Sequence, residues 1–177
     1  FIPGQFGNHD YAAMLGRVTA ELATPPEVVV VRRAVPLPRG ADRELPTLDP
    51  DDIRMILYTS GTTGRLKGVL HSHRSINSLI DQLHEHWLIS PGDTFLVPSP
   101  IAHIGGSIYA FEIPLLLGTT AILMQRWNAD EGVHLMCSHR CTHMAGATPF
   151  LEQLLAAAEK VDTRLPALKV FICGGAS

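Results

Sequence analysis

Short blocks of apolar residues alternate along the chain with stretches in which apolar residues recur at helical spacing. Val28 to Val31 is wholly apolar, and Ile53 to Leu57 is apolar except for Arg54. Runs of this length are typical of strands, and the wholly apolar run over 28–31 is typical of a strand that is buried inside a sheet. The pattern predicts strands over 28–31, 53–59, 69–71, 95–97, 121–124, 142–145 and 168–173.

The stretches between these runs predict helices. In the clearest of them, apolar residues recur every three or four positions and therefore share one face of a helix. These residues are Ile76, Leu79, Ile80, Leu83 and Trp87. Asp10 precedes the first such stretch and is a favourable residue for a helix cap. The spacing predicts helices over 10–22, 75–87, 106–117, 130–137 and 149–158.

This alternation predicts an α/β fold in which a mostly parallel sheet is covered by helices on both faces. Between residues 34 and 52, prolines at positions 36, 38, 46 and 50 alternate with charged residues, which is typical of a surface loop. We therefore predict the end of an N-terminal β/α unit over residues 1–33, a linker loop over 34–52 and an α/β subdomain over 53–177.

Composition excludes several classes of protein. The chain has 177 residues, 46% of them apolar, and a net charge of -3. It holds no run of Lys or Arg that would attract nucleic acid or an anionic membrane, so we expect no nucleic acid partner. Three cysteines cannot form a complete disulfide framework, and Phe1 to Gly4 lacks the layout of a secretion signal. We therefore expect a cytoplasmic protein.

One stretch is nominally long enough to span a bilayer. It runs from Ile104 to Met124 and has Glu112 as its single charged residue. Pro114 and the Gly118-Thr119-Thr120 cluster divide it into a helical part and a β-branched part. We therefore predict a buried helix that leads into a buried strand, and no transmembrane segment.

The segment after the strand over 53–59 is rich in residues that bind polyphosphate. Glycines let the backbone N–H groups approach phosphate oxygens, hydroxyls add donors, and a lysine supplies a mobile charge. The residues concerned are Thr59, Ser60, Gly61, Thr62, Thr63, Gly64 and Lys67. Their spacing is neither that of a Walker P-loop nor that of a dinucleotide-binding fingerprint. Composition alone leaves open a flexible surface loop with no ligand.

The segment Tyr58 to Val69 resembles the signature of the acyl-adenylate-forming superfamily, which includes acyl-CoA synthetases, peptide-synthetase adenylation domains and luciferase. Leu66 stands where that family usually has proline, a change that removes no phosphate donor. Other segments resemble the family in the same order along the chain. These are residues 51–57, 72–76, 98–106, 115–124, 126–128 and 174–176.

The resemblance implies roles for individual residues. Lys67 would contact the β- or γ-phosphate of ATP, although an unpaired lysine in solvent is the ordinary alternative. His103 would be a catalytic residue at the substrate pocket together with Ile104 and Gly105, with a core histidine as the alternative. Ala102 replaces a common aromatic residue of the family. The adenine side would be formed by Gly174, Gly175, Ala176 and Ser177.

For His73 two roles stay open. The residue belongs to the segment that resembles the Thr-His pair of the family. The same position can equally cap or brace the helix that follows.

The resemblance also implies a reaction. The carboxylate of a fatty or aromatic acid attacks Mg·ATP to form an acyl adenylate, and the acyl group is then transferred to coenzyme A. The subdomain over 53–177 would bind nucleotide and acyl group, as a part of the family's N-terminal domain that ends before the adenine-binding motif is complete. We expect the chain alone to be inactive. A carrier protein as acceptor, luciferase-like oxidation and a non-catalytic nucleotide-binding module stay open, as does the oligomeric state.

The nine histidines raise the question of a metal site. Cys137, His139, Cys141 and His143 would share one face of a single strand. However, Val133, Met136 and Cys137 continue the helix predicted from Asp130, which would place Cys137 and His143 on different elements. We therefore expect no metal ligands in this chain.

Overall fold

The computed structural model describes residues 1–31, 39–59 and 64–174. The chain divides into two compact units, Phe1–Thr47 and Leu48–Ser177. Residues 39–52, which belong to the predicted linker, contain no helix or strand, whereas residues 34–38 of that linker lie outside the described part of the chain. The predicted three-part division of the chain stays a prediction.

The first unit contains short strands around one helix. They are β1 (Ile2–Pro3), β2 (Gln5–Phe6), β3 (His9–Asp10), α1 (Tyr11–Thr19) and β4 (Val30–Val31). The predicted cap is confirmed, since the Asp10 carboxylate accepts a hydrogen bond of 2.9 Å from the Ala13 N–H. Strand β1 pairs in parallel with β4, and β2 pairs antiparallel with β3.

The predicted buried strand over 28–31 is wrong in extent and in burial. Only Val30 and Val31 form a strand, and the exposed fractions of Val28 and Val31 are 39% and 37%. The physical reason is the partner, because β1 offers only two residues to pair with. So short a ladder covers little apolar surface.

The second unit begins with an antiparallel hairpin. Strand β5 (Ile53–Thr59) occupies the predicted range, and β6 (Lys67–Ser72) contains the predicted extended segment over 69–71. The two strands pair with each other and form a separate two-stranded sheet. Helix α2 (His73–His86) follows directly, and the Ser72 hydroxyl caps it by accepting a hydrogen bond of 3.2 Å from the Ser75 N–H.

A four-stranded parallel sheet forms the centre of the second unit. Its strands are β7 (Thr94–Val97), β8 (Thr120–Leu123), β9 (His143–Gly146) and β10 (Val170–Cys173), in the order β10-β9-β7-β8. The intervening helices are α3 (Ile104–Ser107), a π turn (Ile108–Glu112), α4 (Ile113–Leu117), α5 (Ala129–Ser138) and α6 (Thr148–Lys160). The predicted α/β fold with a mostly parallel sheet is confirmed.

Helices cover both faces of this sheet. Successive side chains of a strand point to opposite faces, so neighbouring residues of one strand belong to different cores. Leu96 of β7 and Met144 of β9 belong to the core beneath α5 and α6. Phe95 and Val97 belong to the opposite core, beneath α2 and the π turn. The first core comprises Leu96, Met124, Val133, Met136, Cys141, Met144, Leu154, Ala157, Ala158 and Leu165. The second comprises Ile76, Ile80, Ile89, Phe95, Val97, Ile108 and Ile113.

The predicted helix over 106–117 starts two residues earlier, at Ile104, and widens in its middle. The Ile113 N–H donates to the Ile108 carbonyl, five residues back, which defines the π turn. Pro114 gives the reason, since it has no N–H to donate to Ala110 and its ring would crowd that carbonyl in an α-helix. Within residues 1–31, 39–59 and 64–174, none of the helices combines the length and apolar character needed to cross a membrane.

A buried carboxylate joins the segment just before β10 to the loop before β7. Asp93 is 4% exposed, and it accepts hydrogen bonds of 2.6 Å from the Lys169 ammonium group and 2.8 Å from the Ser90 N–H. Burial by itself raises the pKa of Asp93, but the hydrogen bonds from Lys169 and Ser90 outweigh it and bring the pKa below its usual value. The ionised carboxylate therefore stabilises the fold.

We expect this contribution to be lost in acid. Because the pKa of Asp93 is lower in the folded chain, its stabilisation is present above the unfolded pKa of about 4 and disappears as pH falls below it. Asp93→Asn should flatten the fall in the free energy of unfolding between about pH 4 and pH 2, as measured by urea denaturation. Asp130→Asn is the control, since Asp130 and Lys160 form an exposed pair. Equal slopes for wild type and Asp93→Asn would exclude this role.

Candidate functional site

A cavity of about 490 Å³ lies at the carboxyl ends of β7, β9 and β10. Its lining is predominantly apolar, with glycines where the backbone itself forms the wall. The lining residues are Ser99, Pro100, His103, Ile104, Gly105, Tyr109, Ala145, Gly146, Ala147, Phe150, Ile172 and Gly174. The predicted substrate residues His103, Ile104 and Gly105 thus share one cavity with Gly174 from the predicted adenine side.

The order of the strands explains why a cavity forms there. Strands β7 and β9 are neighbours, but the chain leaves β7 toward β8 at one edge and leaves β9 toward β10 at the other edge. The two connections diverge, which leaves a crevice at the carboxyl ends of the strands between them. Such crevices are the usual ligand sites of open α/β sheets.

The turn that presents His103 is fixed by backbone hydrogen bonds. The His103 N–H donates to the Pro100 carbonyl at 2.9 Å, and the Ser107 N–H donates to the His103 carbonyl at 3.0 Å. The Nδ1 atom of His103 accepts a hydrogen bond of 3.2 Å from the Gly105 N–H. Because Nδ1 acts as the acceptor, the proton of the neutral ring lies on Nε2, which is left available to donate to a ligand.

Gly106 allows this turn to close. A Cβ atom at position 106 would lie 2.0 Å from the Pro100 carbonyl oxygen and 2.9 Å from that of Ser99. Both are backbone atoms and cannot rotate away. The helix can therefore start this close to the preceding loop only with glycine at position 106.

Two aromatic side chains shape the cavity. Tyr109 stacks on Phe95, with ring centroids 6.0 Å apart, and Phe95 stacks in turn on His143 at 4.8 Å. Burial raises the pKa of Tyr109, so its phenol stays protonated and can donate a hydrogen bond. Phe150 contacts Trp127, with centroids 5.0 Å apart. These aromatic contacts restrict the Tyr109 and Phe150 rings and give the cavity a defined shape.

The ends of the hairpin carry the described part of the predicted phosphate-binding loop. Thr59 and Lys67 are paired residues at the loop end of the hairpin, where β5 ends and β6 begins. Gly64 has a φ of 75°, a conformation that favours glycine. Lys67 is exposed, and its ammonium group has no partner among the described residues. The predicted phosphate residues Ser60, Gly61, Thr62 and Thr63 lie outside the described residues.

The predicted adenine segment begins at the rim of the cavity. The Gly174 N–H donates to the Gly146 carbonyl at 3.1 Å, which extends the contact between β10 and β9 by one residue. A Cβ atom at Gly174 would meet none of the described residues within 4 Å, so they leave the backbone there open to a ligand. Gly175, Ala176 and Ser177 lie outside the described residues.

His103 lines the cavity, whereas the other histidines and the cysteines of the described residues do not. His73 is the first residue of α2, and the cap of that helix is Ser72. Cys137 lies on α5 and His143 on β9, so the two residues belong to different elements. Burial raises the pKa of the Cys141 thiol to about 11. Among the residues that the structure describes, no group of three His, Cys, Asp or Glu side chains could hold a metal ion.

Several lining residues were not predicted from the sequence, among them Tyr109, Phe150, Gly146 and Ala147. Tyr109 and Phe150 lie on the helical face that turns toward the cavity, and helical periodicity treats such residues as core. Gly146 is the last residue of β9, and Ala147 follows it directly. A small-residue segment after a predicted parallel strand was the signal that could have identified them.

Comparisons with known proteins agree on the kind of protein. Residues 10–177 match the family described as AMP-binding enzyme. The chain is 35% identical over 133 residues to the medium-chain fatty-acid–CoA ligase of Escherichia coli, an alignment that covers 73% of this chain and 23% of that protein. The first curated relatives are thus matched over only about a quarter of their length, at 23%, 27% and 22%.

Solved structures agree with this fold. The inhibitor-bound N-terminal domain of FACL13 from Mycobacterium tuberculosis superimposes with a TM-score of 0.72 and 25% identity, over 93% of this chain and 42% of that one. ATP-bound MatB from Rhodopseudomonas palustris has a TM-score of 0.62 and 31% identity, over 72% of this chain and 25% of that one. The adenylate-forming enzymes are therefore the structural neighbours of this chain.

The close approach at Gly106 leads to a prediction about stability. Gly106→Ala should lower the free energy of unfolding by about 3 kcal/mol, because the added methyl group overlaps the Pro100 carbonyl. Gly105→Ala is the matched control, since a Cβ atom there lies 3.4 Å from its nearest neighbours, and its effect should stay within about 1 kcal/mol. Chemical denaturation measures both variants. Similar effects of the two substitutions would contradict the steric argument.

Proposed function

The chain belongs to the AMP-binding enzyme family, and on that premise we propose that it carries the nucleotide- and acyl-binding part of an acid–thiol ligase. The ligase joins a carboxylic acid to coenzyme A at the expense of ATP. The cavity at the carboxyl ends of β7, β9 and β10 is the observation that carries this proposal. It brings His103 and Gly105 together with Gly174, residues that the resemblance assigns to the acyl and adenine sides.

The proposed reaction has two steps. A carboxylate oxygen of the acid attacks the α-phosphorus of Mg·ATP, the bond to the β-phosphate breaks, and pyrophosphate leaves. The thiol of coenzyme A then attacks the acyl carbonyl, its proton passes to solvent, and AMP leaves. Such transfers depend mainly on positioning the reactants and on neutralising charge that develops on oxygen.

His103 is proposed to orient the carboxylate. Its Nδ1 atom is occupied by the Gly105 N–H, so the ring cannot turn without losing that hydrogen bond. The Nε2–H group is therefore the donor that faces a ligand, and a donor in a fixed position favours one orientation of the carboxylate over others. This assignment supports His103 as the catalytic residue of the cavity.

The loop end of the hairpin is proposed to hold the β- and γ-phosphates. Lys67 supplies a positive charge that has no partner among the described residues, the Thr59 hydroxyl is a hydrogen-bond donor, and Gly64 has the backbone conformation that a close turn needs. Ser60 to Thr63 are proposed to contribute further donors. Mg²⁺ enters as part of the Mg·ATP substrate, coordinated largely by phosphate oxygens and water.

The acyl group is proposed to be fatty or aromatic and of moderate size. Tyr109, Phe150 and Ile172 make the cavity wall apolar, which favours an apolar acyl group over a charged one. A volume of about 490 Å³ is within the range of small-molecule sites. The relative that acts on medium-chain fatty acids supports this class of substrate. A cytoplasmic location completes the proposal, consistent with three unpaired cysteines.

The direct test is exchange of labelled pyrophosphate into ATP, catalysed by the protein expressed from its complete reading frame. Exchange should depend on an added carboxylic acid, and Lys67→Ala should lower kcat/KM for ATP by about ten- to a hundredfold through loss of a charged phosphate contact. Arg65→Ala is the control, because Arg65 is an exposed basic residue of the same segment. Full exchange in Lys67→Ala would remove that residue from the proposed site.

His103 can be tested separately from the stability of its turn. His103→Asn keeps a side-chain acceptor for the Gly105 N–H, since Asn is a favourable helix cap, but it removes the imidazole donor. We expect an unchanged melting temperature and a fall in the exchange rate of about tenfold or more. His103→Ala should show the same loss of exchange together with a lower melting temperature. Exchange at the wild-type rate in His103→Asn would rule out the proposed role.

A further inference from the structure

We propose that the ion pair between Arg54 and Glu112 is a positioning device, which sets the phosphate-binding hairpin against the helix that lines the cavity. The inference rests on the proposed function. The Nη2 atom of Arg54 lies 2.8 Å from one carboxylate oxygen of Glu112 and 2.6 Å from the other. The side chain of Glu112 is 5% exposed and that of Arg54 is 30% exposed.

The described residues of the hairpin have few other polar links to the described rest of the unit. Strands β5 and β6 pair only with each other among the described strands, and β6 continues into α2. In the part of the chain that the structure describes, Arg54–Glu112 is the one hydrogen-bonded side-chain contact that joins either strand to the residues from β7 onward. The pair therefore connects strand β5, which ends at Thr59, directly with the helical segment that lines the cavity.

At its other end, the pair is fixed to the helical segment that forms one wall of the cavity. Glu112 is the last residue of the π turn, and Tyr109 of the same turn lines the cavity. The segment starts at His103, whose imidazole caps it. Because the chain is helical from Ile104 to Leu117 without a break, a shift of Glu112 would move Tyr109 and the cap as well.

The π turn explains how one helix serves both contacts. Pro114 disfavours α-geometry in the preceding turn, and the wider turn changes the angular spacing between Tyr109 and Glu112. Tyr109 is directed to the cavity, while Glu112 meets Arg54. A π turn inside an α-helix is frequently found at functional sites.

The energetics of buried ion pairs favour a role in orientation over a role in stability. Desolvation of the two charges offsets most of their attraction, so replacing both partners by apolar residues is often neutral or stabilising. Removal of one partner is destabilising because it leaves a buried charge without a partner. What the pair supplies that an apolar contact lacks is a specific geometry, since Glu112 accepts through both oxygens from one nitrogen of Arg54.

A second ion pair near the hairpin provides a matched control. Asp51 and Arg74 form hydrogen bonds of 2.6 and 3.0 Å, but their side chains are 67% and 62% exposed. Solvent and salt screen such a pair, and it contributes little to stability. It joins the entry of the hairpin to α2 and does not reach the cavity helix, so its loss should leave the geometry of the reactants unchanged.

The experiment compares three variants of the protein expressed from its complete reading frame, by pyrophosphate exchange kinetics and melting temperature. Arg54→Met with Glu112→Leu removes the charges together, Arg54→Lys keeps the charge but not the geometry, and Asp51→Asn with Arg74→Met is the control. We expect the first to lower kcat by about ten- to a hundredfold, as misplacement of reacting groups does. Its KM values for ATP and for the acid should stay within about threefold of wild type, since each subsite remains intact.

The other two variants distinguish a positioning role of the ion pair from a purely structural role. Arg54→Lys should give a kcat between those of wild type and the double variant at an unchanged melting temperature, and the exposed-pair control should match wild type. Wild-type kcat in the folded variant with Arg54→Met and Glu112→Leu would overturn the inference. If that variant does not fold, wild-type kcat in Arg54→Lys would overturn it. A wild-type protein without acid-dependent exchange would instead overturn the proposed function, and this inference with it.

Discussion

The parallel pairing of β7 with β9 is the contact on which the rest of the second unit depends. Phe95 and Leu96 lie opposite His143 and Met144, although a helix, a strand and a second helix separate them along the chain. The pairing joins two strands whose onward connections diverge, which produces the crevice at their carboxyl ends. It also places Leu96 and Met144 in one core and Phe95 in the other. The site and both hydrophobic cores are therefore consequences of the same strand order.

Local backbone chemistry then decides which groups face the crevice. Gly106 allows the helix to start against the Pro100 carbonyl, and this start fixes the His103 ring through the Gly105 N–H. Farther along the same helical segment, the π turn before Pro114 separates the direction of Tyr109 from that of Glu112. One stretch of chain thus supplies the cap, one wall of the cavity and the partner of Arg54. Its geometry follows from one glycine and one proline.

The sequence predicted those parts of the molecule that depend on local patterns. The strand over 53–59, the cap at Asp10 and the order of strands and helices follow from periodicity and side-chain chemistry, and the family followed from a long motif. The antiparallel hairpin, the short strand at Val30–Val31 and the Arg54–Glu112 contact could not be predicted in this way. Each depends on which segment lies alongside, and residues 58 positions apart leave no periodic signal. Tyr109 and Phe150 were missed because a cavity wall and a core face share the same apolar spacing.

The most direct measurement is a crystal structure of the protein expressed from its complete reading frame, with a non-hydrolysable acyl-sulfamoyl adenosine bound. The acyl group should occupy the cavity between Tyr109 and Phe150. The Nε2 atom of His103 should lie about 3 Å from an oxygen of the acyl or sulfamate group, and the adenine should lie beyond Gly174. An acyl group bound outside this cavity, with His103 remote from it, would contradict the assignment of the crevice as the site of carboxylate activation.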